Sequence, residues 1–187
     1  MPNSGNGIYW YSHDSAYVHT IMISSEHDLS PGSDQHSWLE TDLKSIHMTN
    51  TTSATRPWIV VETHRPMYHN EDIPHNTRVG IAMRHEIEDL LVKYEVDLFL
   101  SGHYHSYLRS CNGLYQGICG TKGPLHITIG TAGADLDAVE LLRRPWVEYY
   151  SAEWGYGKIT VHNESSLHFE FISDQDGAVR DETWLIK

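Results

Sequence analysis

Two apolar runs that each stop at histidine constrain this chain most. They are Trp58-Ile59-Val60-Val61-Glu62-Thr63-His64 and, about 40 residues on, Val96-Asp97-Leu98-Phe99-Leu100-Ser101-Gly102-His103-Tyr104-His105. Each reads as a short buried strand with imidazoles at its carboxyl end, the edge where open α/β sheets bind ligands. Between them, Met83, Ile87, Leu90, Leu91 and Tyr94 fall on one helical face. The pattern is a β-loop-α-β unit, which predicts parallel strands with a right-handed crossover and places His64 and His103/His105 together.

The flanks are simpler. Ile8 to Tyr11 and Tyr17 to Ile23 read as two strands joined by a polar turn from Ser12 to Ala16. Trp38, Leu39, Leu43 and Ile46 predict a helix with Ser33 at its N-cap and Asp34 in its first turn, followed by a polar loop from Thr49 to Thr55. From Leu125 onward, Gly-, Asn- and Asp-broken runs at Leu125 to Ile129, Gly157 to His162, Leu167 to Ile172 and Val179 to Ile186 predict antiparallel strands on the same core. The chain thus divides into a metal-ligand β/α portion over about 1–119 and a β-rich portion over 120–187.

With 187 residues, 40% of them apolar, the chain can bury a core. Its net charge of −12, with 13 Lys+Arg, leaves no basic stripe for a nucleic-acid backbone and means that phosphate chemistry would need bound cations. No run approaches the length of a membrane span, and the first residues lack the pattern of a signal peptide. Cys111 and Cys119 could close a small disulfide or be two separate thiols; pairing, with the sequons Asn50-Thr51-Thr52 and Asn163-Glu164-Ser165, would suit an oxidising compartment.

Three strand-end imidazoles could serve a pair of ions about 3.5–4 Å apart, or one zinc with an open position. A pure imidazole set does not suit magnesium. His126, inside a strand, reads as structural, and Tyr104 and Tyr107 as packing or pocket wall.

Val60-Val61-Glu62-Thr63-His64-Arg65-Pro66-Met67-Tyr68 and Gly102-His103-Tyr104-His105-Ser106-Tyr107 resemble the last two metal blocks of the purple acid phosphatases, a branch of the calcineurin-like metallophosphoesterases. Gly7 to Ser12, Ser24 to Asp28, Gly130 to Ala134, Glu153 to Tyr156 and Asp174 to Gly177 resemble family segments in family order. The resemblance implies the second half of an α/β/β/α metallophosphoesterase sandwich, a β-sandwich flanked by helices. It also implies a dinuclear centre in which His64 and His103 hold a divalent ion (zinc, manganese or iron(II)) and His105 holds Fe(III), acting on phosphate monoesters. His69 or His75 would be proton donor or phosphate contact.

Two departures from the family qualify this. Tyr107-Leu108-Arg109 stands where the family has Tyr-Glu-Arg, removing a carboxylate near the site. The early Asp, the Gly-Asp-x-x-Tyr block and the Gly-Asn-His block are absent, so this chain is expected to hold metals weakly and to be a fragment or truncated product that lacks its N-terminal half as partner. The complete protein is expected in a secreted or lysosomal/vacuolar-type compartment. The rival readings are a non-catalytic metal-binding or interaction module and a phosphodiesterase of the same superfamily.

Overall fold

The run at residues 58–63 forms a strand buried along nearly its whole length, because it is covered on both faces. It is β4 (Trp58–Thr63) of an eight-stranded sheet. The computed structural model describes residues 3–49, 56–137 and 139–187, without the side chains of residues 3, 4, 49, 75 and 76. Before β4 come β1 (Asn3–Asn6), β2 (Trp10–Ser15), β3 (Val18–Met22) and helix α1 (Asp34–Thr49). After it, α2 (Pro74–Met83) and α3 (Asp89–Lys93) flank a π-helical turn at Arg84–Glu88. Then follow β5 (Leu98–Ser101), β6 (Tyr107–Ser110), β7 (Leu125–Ile129), β8 (Val147–Ser151), β9 (Gly155–Asn163), β10 (Ser166–Ser173) and β11 (Val179–Ile186).

The large sheet has the order β1-β2-β3-β4-β5-β7-β6-β8, and β9 to β11 form a separate antiparallel sheet in the order β11-β10-β9. Strands β3, β4, β5 and β7 run parallel. One face of the large sheet, with Ile59, Val61 and Phe99, packs on Leu39, Leu43, Ile87 and Leu91 of the helices. The other, with Trp58, Val60, Leu98 and Ile127, packs on Leu167, Phe169 and Phe171 of the small sheet. The layering is therefore helix, sheet, sheet, a mixed α/β architecture in which the second β layer described here is the C-terminal portion itself.

The crossover from β4 through α2 and α3 to β5 is parallel, as the periodicity predicts. Met83, Ile87, Leu90, Leu91 and Tyr94 are all buried. Ser33 caps α1, its Oγ accepting the His36 N–H at 3.2 Å.

Other expectations need correction. The expected hairpin is β2 with β3, and its turn lies at Ala16 and Tyr17, so Ser12 to Ser15 are strand rather than turn. Ile8 and Tyr9 sit exposed in the turn between β1 and β2. Strand β7 joins the large sheet parallel to β5 instead of forming an antiparallel set with β9 to β11, which have their own apolar cluster. Strands β6 and β8 were not foreseen. The polar tract beyond Thr49, with the sequon at Asn50, lies outside the described residues. Cys111 and Cys119 are joined in a disulfide.

Candidate metal centre

The parallel register aligns Thr63 with Ser101, so β4 and β5 end side by side and deliver His64 and His103 to one edge. The Gly102 N–H donates to the His64 carbonyl at 3.0 Å, locking the two strand ends together. The sharp bend falls on His103 at φ +67° rather than on Gly102. Holding a non-glycine residue there costs about 1–3 kcal/mol, and such strain clusters at functional sites.

The His64 and His103 rings are nearly perpendicular, with His64 Nε2 3.0 Å from His103 Nδ1. Arg65 Nη1 lies 3.3 Å from His103 Nε2. A guanidinium only donates, so Nε2 of a neutral His103 carries the lone pair and Nδ1 the proton, which it gives to His64 Nε2. Burial, then the charge of Arg65, pushes the His103 pKa down and favours this neutral form. Arg65 is itself anchored by Glu26 at 2.6 Å.

His105 is set differently. Its Nδ1 lies 2.7 Å from the Asp135 carbonyl, which only accepts, so in the neutral ring Nδ1 carries the proton and Nε2 a lone pair that could bind a metal. Its backbone N–H donates to the Asp137 carboxylate at 2.8 Å, and the Asp137 N–H returns a bond to the His105 carbonyl at 3.1 Å. Gly130 packs tightly beneath this loop: a Cβ there would lie 1.8 Å from the Tyr104 carbonyl oxygen.

The donor chemistry of the three histidines suits a borderline ion such as zinc or iron. Among the described residues, however, no three His, Cys, Asp or Glu side chains stand close enough to hold an ion. Neutral imidazoles alone cannot offset two cations a few ångströms apart, so these residues fit one part of a dinuclear centre, its imidazole part.

His69 is buried and stacks on Tyr104 with ring centroids 4.7 Å apart. Burial lowers its pKa to about 4, the Glu71 carbonyl opposing this and the Arg144 and Arg84 charges reinforcing it. His75 is the second residue of α2, and its side chain lies outside those described. His126 is buried in β7 against Tyr68 and Phe99. Tyr107 is a packing residue, stacked 4.0 Å from Phe171 with its hydroxyl on Asp181.

Two supporting groups were not legible in the sequence. Asp137 holds the His105 backbone from 32 residues away, and the buried Glu71 accepts the Ser106 hydroxyl at 2.5 Å. Leu108, where the family carries glutamate, points into the helix-side core; a carboxylate reaches this loop from Glu71 instead. The only hint was that Glu71 and Asp137 are acidic residues in loops adjoining strand ends.

Residues 5–107 match the family described as calcineurin-like phosphoesterase, and the chain belongs to that family. Residues 123–182 match the family described as iron/zinc purple acid phosphatase-like protein C, which places the chain in the purple acid phosphatase branch. It is 34% identical over 213 residues to human acid phosphatase type 7, covering 100% of this chain and 48% of that protein. It is 33% identical over 194 residues to a probable inactive purple acid phosphatase 9 of Arabidopsis thaliana, covering 96% of this chain and 28% of that one. A purple acid phosphatase from seeds of yellow lupin (Lupinus luteus) superposes with a TM-score of 0.82 at 25% identity, over 95% of this chain and 32% of that chain. The chain thus spans less than half the length of these relatives.

Proposed function

We propose that the protein hydrolyses phosphate monoesters at acidic pH, and that this chain supplies His64 and His103 to a divalent ion (zinc, manganese or iron(II)) and His105 to Fe(III) of a dinuclear centre. The observation that carries the reading is the convergence of His64 and His103 at one sheet edge, at 3.0 Å, with His105 held in the tautomer that frees Nε2. When bound, such an ion pair supplies Lewis acidity to the phosphoryl group. The chain's own residues orient the ligands: Asp135 and Asp137 fix His105, and Arg65, fixed by Glu26, adds positive charge for an anionic substrate.

His75 is the better candidate for a proton donor. Burial lowers the His69 pKa to about 4, which makes it the weaker proton donor of the two. The disulfide and the sequon at Asn163, exposed at the β9–β10 turn, support a secreted or lysosomal/vacuolar-type location for the complete protein. Among the described residues no helix is long and apolar enough to cross a membrane.

A second reading, a metal-binding or interaction module without turnover, is favoured by the absence of a three-ligand cluster among the described residues and by similarity to a relative named as inactive. The two separate in one experiment on the zinc- and iron-loaded chain with p-nitrophenyl phosphate. Turnover lost in His64→Ala and His103→Ala supports the phosphatase; zinc binding through those histidines with no turnover, in this chain and in a longer product that carries the missing blocks, supports the module.

A further inference from the structure

A cleft of about 180 Å³ opens between the loop after β4, the π-helical turn and the segment entering β8. His69, Arg84, Arg144, Tyr68 and Trp146 line it, and no carboxylate does. In a chain of net charge −12 that lining is unexpected. Arg56, Arg65, Arg109 and Arg180, which like Arg84 are at least partly buried, each pair with a carboxylate. Among the described residues, neither Arg84 nor Arg144 has such a partner. The Arg84 guanidinium lies 4.8 Å over the Tyr68 ring, and its buried Nε has no hydrogen-bond partner among the described residues. The Tyr68 hydroxyl is already committed to Glu88. The π-helical turn that carries Arg84 is itself a feature frequent at functional sites.

His69 adds the discriminating element. Its Nδ1 lies 3.1 Å from the Glu71 carbonyl, which only accepts, so Nδ1 donates and Nε2 is left as an acceptor. The cleft therefore combines two guanidinium donors with one neutral acceptor.

We propose that this cleft is a binding site for a singly protonated phosphate group, as hydrogen phosphate or a small phosphate monoester, separate from the histidine edge. Guanidinium forks match phosphate oxygens, and the remaining O–H of the ligand donates to His69 Nε2. The volume lies below the roughly 300–1,000 Å³ of sites for drug-sized ligands, so the ligand is a small oxyanion and not a nucleotide. Sulfate has the same shape but no proton to give; it leaves the acceptor unpaired and binds at least about tenfold more weakly.

The test is titration of the isotope-labelled 187-residue chain, freed of metal with a chelator, by inorganic phosphate, methyl phosphate and sulfate near pH 6, where methyl phosphate keeps much of its remaining proton, read by amide chemical shifts. Saturable shifts at Tyr68, His69, Arg84 and Arg144 to Trp146 are expected, weakened about tenfold or more in Arg144→Ala and in Arg84→Gln, and unchanged in His64→Ala. Arg144 is exposed, so its replacement leaves the fold intact. Methyl phosphate moving the same amides extends the site to monoesters, and inorganic phosphate alone moving them restricts it to the free ion; either result supports the site. No shifts, shifts confined to His64, Arg65 and His103 to His105, wild-type affinity in Arg144→Ala, or sulfate binding as well as phosphate would overturn it. The metal is removed throughout, so failure here leaves the phosphatase reading untouched.

Discussion

Replacing Asp181 with alanine should remove a large part of this protein's stability. Asp181, on β11 of the small sheet, accepts bonds from Arg109 Nε at 2.6 Å and Nη2 at 2.8 Å and from the Tyr107 hydroxyl at 2.7 Å, both donors lying on β6 of the large sheet. The side chains of Arg109 and Asp181 are only 16% and 6% exposed, and Tyr107 is fully buried. Alanine would leave a half-buried guanidinium and a buried phenol unpaired, and breaking one partner of a buried pair costs about 3–5 kcal/mol. Against a typical domain stability of about 5–15 kcal/mol, that is about a fifth or more. At about 2–4 °C per kcal/mol for a chain of this size, the melting temperature should fall by roughly 6–20 °C. Urea unfolding with an unchanged m-value would measure it. The double replacement Arg109→Met with Asp181→Leu should recover most of the loss, since an apolar pair avoids the desolvation of two charges. A loss below about 1 kcal/mol in Asp181→Ala would refute the view that this network ties the two sheets together.

Three further perturbations are expected to act locally. Burial lowers the His19 pKa, but hydrogen bonds and charge from Asp42 and Asp14 more than reverse this and raise it overall. The stability it contributes is therefore full below the ordinary value of 6.5 and lost as pH rises through the raised one; His19→Gln should flatten urea midpoints above about pH 6.5 relative to wild type. Reducing the Cys111–Cys119 bridge, with its sequence separation of 8, should cost about 2–3 kcal/mol by the loop-entropy relation, seen as a lower urea midpoint in dithiothreitol. Gly130→Ala forces a Cβ against the Tyr104 carbonyl and should cost about 1–3 kcal/mol or more, with shifted amide resonances at His103 to Ser106; unchanged spectra would contradict the packing.

The elements legible in the sequence are those whose signal is local and periodic. The β4–helix–β5 crossover follows from a continuous apolar run, one helical face and a second run, and it alone brings His64 and His103 to the same edge. The α1 cap was legible for the same reason, since Ser33 and the helix it starts are adjacent. Strands β6 and β8 were not, because Tyr107 to Ser110 and Val147 to Ser151 are short and become strands only by pairing across some 40 residues. His13, Asp14 and Ser15 resemble turn residues because their positions in β2 are largely exposed, where polarity carries no strand signal. At the candidate site, the histidines were evident while the groups that set their tautomers and backbone were not: Asp135, Asp137 and Glu71 come from loops far off in sequence. The positive φ at His103 was not legible either, because a sequence displays conformational freedom, as at Gly102, and not the strain a fold can impose.

Titration of the chain with cobalt(II), followed by its visible absorption, tests most directly the claim that this histidine edge is part of a metal centre. The account predicts a weak but saturable spectrum with nitrogen ligation, lost in His64→Ala and in His103→Ala and retained in His162→Ala, a histidine on the opposite sheet. A spectrum unchanged in His64→Ala and His103→Ala, or absent from the folded wild-type chain, would contradict it.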